Sequence, residues 1–309
     1  MDNLNGGGVQ RSMLRLADEL IGRGHEIDVV CCFLRGDFMS QLPPSVYTHE
    51  LRKGRRSATR LMALKADPMG LPAMLRTVMI GHQMHFFLRR APALARYMLE
   101  RRPTAVLSAT PFANIAAVWA RDVSRVPARV IATERSALSH ILLGSPQPRR
   151  YLLPRLLRRV YDRADAVVAV SKALADDVAT VTGFPRHRIL TIYNPVIGPE
   201  VADLKRHLVA HPWLQGSGPP VVLAVGRVSL DQKDYPTLLE AFAILRRERD
   251  ARLILVGGEF NEETTAHARQ VLRDRAQALG IAANFDMPGF DPNPFAWMAR
   301  ASLFVLSSR

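Results

Sequence analysis

Short, continuous apolar runs alternate along the chain with longer stretches in which apolar residues recur every three or four positions. EIDVVCCF (26–33), TAVLS (104–108), ARVIA (128–132), AVVAV (166–170) and RILTIY (188–193) predict a first set of strands. PVVLAV (220–225), ARLILV (251–256), ANFDM (283–287) and SLFVL (302–306) predict a second set. Between them, QRSMLRLADELIGRG, SKALADDVATVTG and TTAHARQVLRDRAQALG have helical spacing. Strands apolar on both faces and separated by helices belong to parallel sheets covered on both sides. The predicted class is therefore α/β, with two doubly wound, Rossmann-like domains. Pro/Gly-rich NPVIGPE and HPWLQGSGPP, between Tyr193 and Pro220, mark the join. The expected domains are 1–197 and 198–309.

Charge separates the two halves further. The chain of 309 residues carries a formal net charge of +14. Residues 1–197 hold 29 Lys/Arg against 15 Asp/Glu, whereas 198–309 hold 13 of each. A basic domain attracts nucleic acid, an anionic membrane surface or a phosphorylated substrate. No zinc-finger spacing, RNA-binding signature or basic zipper favours nucleic acid, so none is expected as a partner. The adjacent Cys31 and Cys32 offer no disulfide framework and suggest a reducing, cytoplasmic setting. MDNLNGGG has neither the basic nor the apolar region of a signal peptide, and no window approaches a membrane span.

The stretch 52–102 departs from the alternation. LRKGRRSATRLMALK carries six basic residues and no acid, and MLRTVMIGHQMHFFLRRAPALARYMLERR mixes Met, Phe and Tyr with Arg. It reads as a basic, amphipathic helical insertion. Such an insertion could lie peripherally on an anionic membrane. The plainer alternative is a set of helices that pack on their own domain with the arginines outward.

Candidate chemistry gathers at the predicted carboxyl ends of the second set of strands, where open parallel sheets bind ligands. VVLAV ends at Gly226, followed by Arg227 and Lys233 before a helix opening near Asp234–Thr237. A guanidinium fork and an ammonium there suit neighbouring phosphates. The next strand ends in Gly257 and Gly258, the third in Gly289 and Phe290, the last in Ser307 and Ser308. Each glycine alone reads as a turn residue; four such strand ends in succession read as one crevice. No Asp-x-Asp occurs among the 28 acids and the histidines lack ligand spacing, so no metal or other cofactor is expected. The absence of G-x-G-x-x-G after any strand argues against a nicotinamide dehydrogenase.

GGGVQRSMLRLADELIGRGHEIDVV, VSKALADDV, TIYNPV, AVGRVSLDQKDYPTLLEAFAIL, LILVGGE and NPFAWMARASLFVLSS occur in this order along most of the chain. In order and spacing the sequence resembles retaining glycosyltransferases of family 4, which have the GT-B architecture of two Rossmann-like domains facing across a cleft. VGR-x5-K before a helix is the most specific element. The resemblance implies a nucleotide-sugar donor in the second domain, with Arg227 and Lys233 on its diphosphate and Gly289–Phe290 against its base. It implies that the run Gly6–Gly7–Gly8 faces the donor. It also implies transfer of a hexose or N-acetylhexosamine to a glycan acceptor held by the basic domain. With the insertion, that acceptor is expected to be lipid-linked or part of the cell envelope, at the inner membrane face.

Two departures from the family pattern stand out. Where many relatives carry a His near the transferred sugar, ATERSALSH places Glu134 and Arg135, making Glu134 either a polar sugar contact or base, or an Arg-paired structural carboxylate. Relatives also continue past the last strand into a segment with two glutamates eight apart, and precede the glycines with an apolar strand. The sequence is thus expected to be truncated at both ends, with the second domain incomplete and SLFVL exposed. Two readings compete with transfer: an epimerase of the same architecture, and a non-catalytic fragment that binds a nucleotide-sugar or membrane.

Overall fold

The computed structural model describes residues 1–309 except 6, 37, 81–83, 146, 196–197, 199, 259–261 and 309. The chain divides into two compact units, Met1–Pro195 and Val196–Arg309.

In unit 1, the strands β1 (Asp28–Cys31) and β2 (Tyr47–Glu50) form a two-stranded parallel sheet. A second, four-stranded parallel sheet runs in the order β3 (Ala105–Ala109), β4 (Arg129–Glu134), β5 (Ala166–Ala169), β6 (Ile189–Thr191). Its helices are α1 (Gly8–Gly22), α2 (Arg56–Ala66), α3 (Leu71–Met74), α4 (Ala91–Arg101), α5 (Pro111–Ser124), α6 (Leu138–Leu143), α7 (Gln147–Arg163) and α8 (Lys172–Thr182). Each parallel pair needs a crossover: α5, α7 and α8 lie on those of the four-stranded sheet, whereas residues 32–46 join β1 to β2 with one short 3-10 turn, Met39–Gln41. Ile115–Ala120 of α5 are all buried, with Trp119 fully enclosed. Ser171 starts α8 by accepting a hydrogen bond from the Leu174 amide, and Gly183 ends it at φ 69°, the left-handed geometry that glycine adopts without a Cβ penalty.

Unit 2 carries one parallel sheet in the order β10 (Leu303–Phe304), β7 (Val221–Val225), β8 (Arg252–Val256), β9 (Phe285–Gly289). Its helices are α9 (Val201–Leu204), α10 (Tyr235–Glu248), α11 (Glu262–Ala278) and α12 (Pro294–Met298). Val222, Ala224, Leu253 and Leu255 pack on one face with Leu238, Leu239 and Phe242 of α10 and Leu272 of α11. Val221, Leu223, Ile254 and Val256 pack on the other with Ala296 and Trp297 of α12. Alternate residues of the same strand point to opposite faces, which is why VVLAV and LILV are apolar throughout.

Three sequence expectations change. β2 was not foreseen, because YTHE is polar and half-exposed and shows no apolar face. The run before the glycines is not apolar, yet Met1–Leu4 is bonded along the chain that leaves β1. The Met1 amino group donates to the Val30 carbonyl, Cys32 N–H to Met1, and Phe33 N–H to Asp2, while Leu4 is fully buried. In the insertion, Met62, Met74, Leu88, Leu94, Tyr97 and Met98 join the unit 1 core. Its arginines do not all point outward: Arg90 is buried, with Nε donating to the carbonyls of Cys32 (3.1 Å) and Leu51 (3.0 Å). Its guanidinium also lies 4.3 Å from the Phe33 ring centroid. Leu303, Phe304 and Leu306 of the last strand and its continuation are exposed.

Candidate functional site

The carboxyl ends of β7, β8 and β9 meet through backbone rather than side chains. Gly226 N–H donates to Val256 O (3.0 Å), Gly257 N–H to Gly289 O (2.8 Å) and Val228 N–H to Gly258 O (3.3 Å). The approach is so close that a Cβ on Gly257 would lie 1.8 Å from the Gly226 carbonyl oxygen. A Cβ on Gly258 would press on Phe290 at 3.0 Å. Gly289 has φ 113°, a conformation that side-chain-bearing residues rarely adopt. These glycines are required by contact and dihedral, and together they leave a bare backbone surface at the sheet edge.

Arg227 and Lys233 flank that surface. Arg227 is exposed and its Nη2 donates to Gln232 Oε1 (2.5 Å). Lys233 is half-buried, its Cε and Cδ 3.2 and 3.7 Å from where a Gly226 Cβ would stand. Its Nζ reaches Ser308 Oγ at 3.4 Å, and Ser307 Oγ donates to the Lys233 carbonyl (2.7 Å). Desolvation first, and the neighbouring Arg227 charge second, hold the Lys233 ammonium below the usual lysine pKa. A bound anion would oppose both effects by attracting the ammonium. Asp234, at φ 47°, turns the chain into α10. The structure therefore brings Gly226, Arg227, Lys233, Gly257, Gly258, Gly289, Phe290, Ser307 and Ser308 to one edge.

Two further residues belong to this edge. The Tyr235 hydroxyl is 2.9 Å from the Gly226 Cβ position, buried without a hydrogen-bond partner. Burial pushes its pKa up to about 12. Arg269 of α11 donates from Nη2 to Gly257 O (3.2 Å), and its Nε is buried and unpartnered. Nothing in the helical pattern around Arg269 distinguishes it from an outward-facing arginine. Only the packing of α11 against β8 does.

The unit 1 candidates are placed differently. Gly7 precedes α1 in an extended conformation and Gly8 is its first residue, with open space where a Cβ would be. Gly6 lies outside the described residues. Glu134, at the end of β4, is completely buried. Its Oε1 accepts from Tyr161 Oη (2.6 Å) and Asn114 Nδ2 (2.6 Å), and Ser108 Oγ bonds Asn114 Oδ1 (2.6 Å). Desolvation raises its pKa to about 8 against the opposing hydrogen bonds from Tyr161 and Asn114, with a smaller raising effect of Asp177. No arginine among the described residues pairs with it. Of the two sequence alternatives for Glu134, a polar sugar contact or base and an Arg-paired structural carboxylate, the second is corrected in its partner: the carboxyl is bonded to Tyr161 and Asn114 in place of an arginine. It is a buried carboxyl in a network spanning β3, β4, α5 and α7. No described helix is long and apolar enough to cross a membrane.

Comparison with known proteins identifies the family. Glycosyltransferase Family 4 matches residues 6–197, and Glycosyl transferases group 1 matches residues 211–309. No curated protein sequence matches the chain significantly. Among solved structures, HepE of Anabaena in complex with UDP and glucose is similar over 99% of this chain and 73% of its own, at 17% identity and a TM-score of 0.67. Sucrose-phosphate synthase of Thermosynechococcus elongatus is similar over 100% and 72%, at 16% identity and 0.68. WaaG, a glycosyltransferase involved in lipopolysaccharide biosynthesis, is similar over 100% and 74%, at 15% identity and 0.59. At these identities the likeness establishes the fold, two Rossmann-like units as in GT-B enzymes. From the family match over most of its length, the chain belongs to glycosyltransferase family 4.

Proposed function

We propose that the chain transfers a hexose or N-acetylhexosamine from a nucleotide-sugar to a glycan acceptor, with retention and without a metal ion. The single observation that carries this reading is the pair Arg227 and Lys233 beside a backbone surface cleared by Gly226, Gly257 and Gly289. As the bond from sugar to phosphate breaks, negative charge grows on the departing diphosphate, and prepositioned cations lower that barrier. Arg227 and Lys233 would do there what a divalent ion does in metal-dependent transferases. In the proposed step the acceptor hydroxyl oxygen bonds the anomeric carbon on the face that the phosphate leaves. The hydroxyl proton passes to the leaving phosphate oxygen. A carboxylate nucleophile is not required, which suits an edge held by cations. The complexes of HepE with UDP and with UDP-glucose support a uridine diphosphate sugar as donor.

For the acceptor, the insertion supports a lipid-linked or membrane-surface glycan. Leu61, Leu64, Met69, Leu71, Leu75 and Ile80 are exposed alongside Arg52, Lys53, Arg55, Arg56 and Lys65. The one acid of residues 52–80, Asp67, is buried against Arg159. Apolar side chains among cations with no exposed acid suit the interface of an anionic bilayer.

The test is thermal stability with UDP, GDP, ADP and their sugars, on wild type and on an Arg227→Ala/Lys233→Ala variant. A rise with one nucleotide, absent in the variant, is expected and identifies the donor base. No rise with any nucleotide in a folded sample would overturn the donor site. Sedimentation with phosphatidylglycerol vesicles but not with phosphatidylcholine vesicles is the expected result for the membrane contact.

A further inference from the structure

Three polar side chains at the carboxyl edge of the unit 1 sheet bury atoms that make no hydrogen bond: Thr110 Oγ1, Glu134 Oε2 and Arg135 Nε. Thr110 and Glu134 stand at the ends of the neighbouring strands β3 and β4, with Ala109 opposite Thr133 in the register and Thr110 N–H bonded to Thr133 O (3.3 Å). Buried polar atoms in folded chains are nearly always bonded, so a cluster of orphans calls for a cause. Thr110 adds a second irregularity. Its φ of 120° and ψ of 149° belong to a region that is essentially restricted to glycine. Strain of this kind concentrates where ligands are held.

Arg135 is half-buried and carries its charge without a carboxylate. Nη1 donates to Asn194 Oδ1 (2.5 Å) and Nη2 lies 3.2 Å from Met13 Sδ. Among the described residues no acid pairs with it. Desolvation lowers its pKa, with no opposing attraction. Glu134 adjoins it in sequence, but its carboxyl is turned into the Tyr161–Asn114 network and burial favours the neutral form. Asp177, on α8, is engaged by the amides of Leu138 and Ser139 at 2.6 and 3.3 Å. Arg15 of α1 approaches the same segment, donating to Pro195 O at 3.5 Å. The local balance is positive, and a half-buried guanidinium without a counter-ion is costly unless an anion joins it.

We propose that Arg135, held by Asn194, forms an anion site at this edge that takes a phosphate or carboxylate group of a substrate. The fork of Arg135 would supply paired donors to an oxyanion. The site lies wholly in unit 1 and does not depend on the Arg227 and Lys233 edge. It deepens the acceptor half of the proposed function by giving the acceptor an anionic group. A donor diphosphate offers the same chemistry, and the test separates the two sources.

The experiment is titration calorimetry of wild type, Arg135→Ala, Arg135→Gln and Arg227→Ala/Lys233→Ala with glucose 6-phosphate, glucose and UDP. The expected result is weakening of glucose 6-phosphate by about tenfold or more in both Arg135 variants, with glucose unaffected and the Arg227→Ala/Lys233→Ala variant binding glucose 6-phosphate as wild type. Arg135→Gln keeps donors for Asn194 without the charge, so it guards against loss of fold in the alanine variant. Weakening of UDP in place of glucose 6-phosphate would keep the site and assign it to the donor. Unchanged affinity for both in a folded Arg135 variant, or no uptake of either by wild type, would overturn it. Loss of UDP binding in Arg227→Ala/Lys233→Ala alone bears on the donor reading and leaves this one standing.

Discussion

Unit 2 clears its carboxyl sheet edge with glycines and leaves its cations, Arg227 and Lys233, exposed or half-buried. Unit 1 buries an entire carboxyl at the same kind of edge and holds a half-buried arginine beside it. The difference follows from what lies beneath. In unit 2 both sheet faces are closed by apolar side chains, so chemistry is left to backbone and surface charge. In unit 1 the crossover helices α5 and α7 contribute Asn114 and Tyr161 to the interior, which lets β4 end in a polar residue. One edge is specified by the absence of side chains, the other by their partners.

Replacing one glycine in each unit sharpens this contrast most. Gly257→Ala drives a methyl into the Gly226 carbonyl, where only backbone could yield. The expected loss is about 2–4 kcal/mol in chemical denaturation of unit 2, together with loss of any nucleotide-induced thermal shift. A wild-type-like denaturation curve would show that the strand ends are loosely packed.

The buried carboxyl gives the next effect. Between the ordinary carboxylate range and about pH 8, the unfolded chain has released the Glu134 proton while the folded chain retains it. Stability contributed by this group is thus complete at low pH and lost as pH rises toward 8, at a slope of up to about 1.4 kcal/mol per pH unit. Glu134→Gln is expected to flatten that part of the pH–stability profile in urea melts between pH 5 and 8. An unchanged slope would mean that Glu134 is ionised in the folded protein.

Smaller effects follow at two helix starts. Ser171→Ala removes the bond to the Leu174 amide and should cost about 1 kcal/mol. Gly8→Ala meets no atom within 4 Å and should raise stability by about 0.5 kcal/mol through reduced freedom of the unfolded chain. A destabilising Gly8→Ala, set beside Gly257→Ala, would mean that the two glycines answer to one constraint after all.

Much of the frame was legible in the sequence because buried parallel strands leave an unbroken apolar signature, as VVLAV and LILV do. The unit 2 edge was legible for a related reason: a glycine or cation directly after such a run needs no partner elsewhere to be noticed. β2 left no signature, since YTHE pairs through backbone while its side chains remain polar. The partners of Glu134 are not legible because Asn114 and Tyr161 lie 20 and 27 residues away. The burial of Arg90 leaves no mark in the sequence because its acceptors are backbone carbonyls of Cys32 and Leu51, which no residue type announces. Arg269 was overlooked for the same reason, through the carbonyl of Gly257.

The loop that carries Lys233 is fastened by Ser307 and Ser308, just beyond β10. β10 is two residues long, held to β7 by the flanking Ser302 and Val305 amides, lies at the sheet edge and is exposed, so it is expected to open early. Each local opening of that strand would also release the Lys233 loop, coupling the reach of the ammonium to the fraying of the strand. The Lys233 loop and β10 should therefore share one exchange rate, and a ligand that grips the lysine should slow both together.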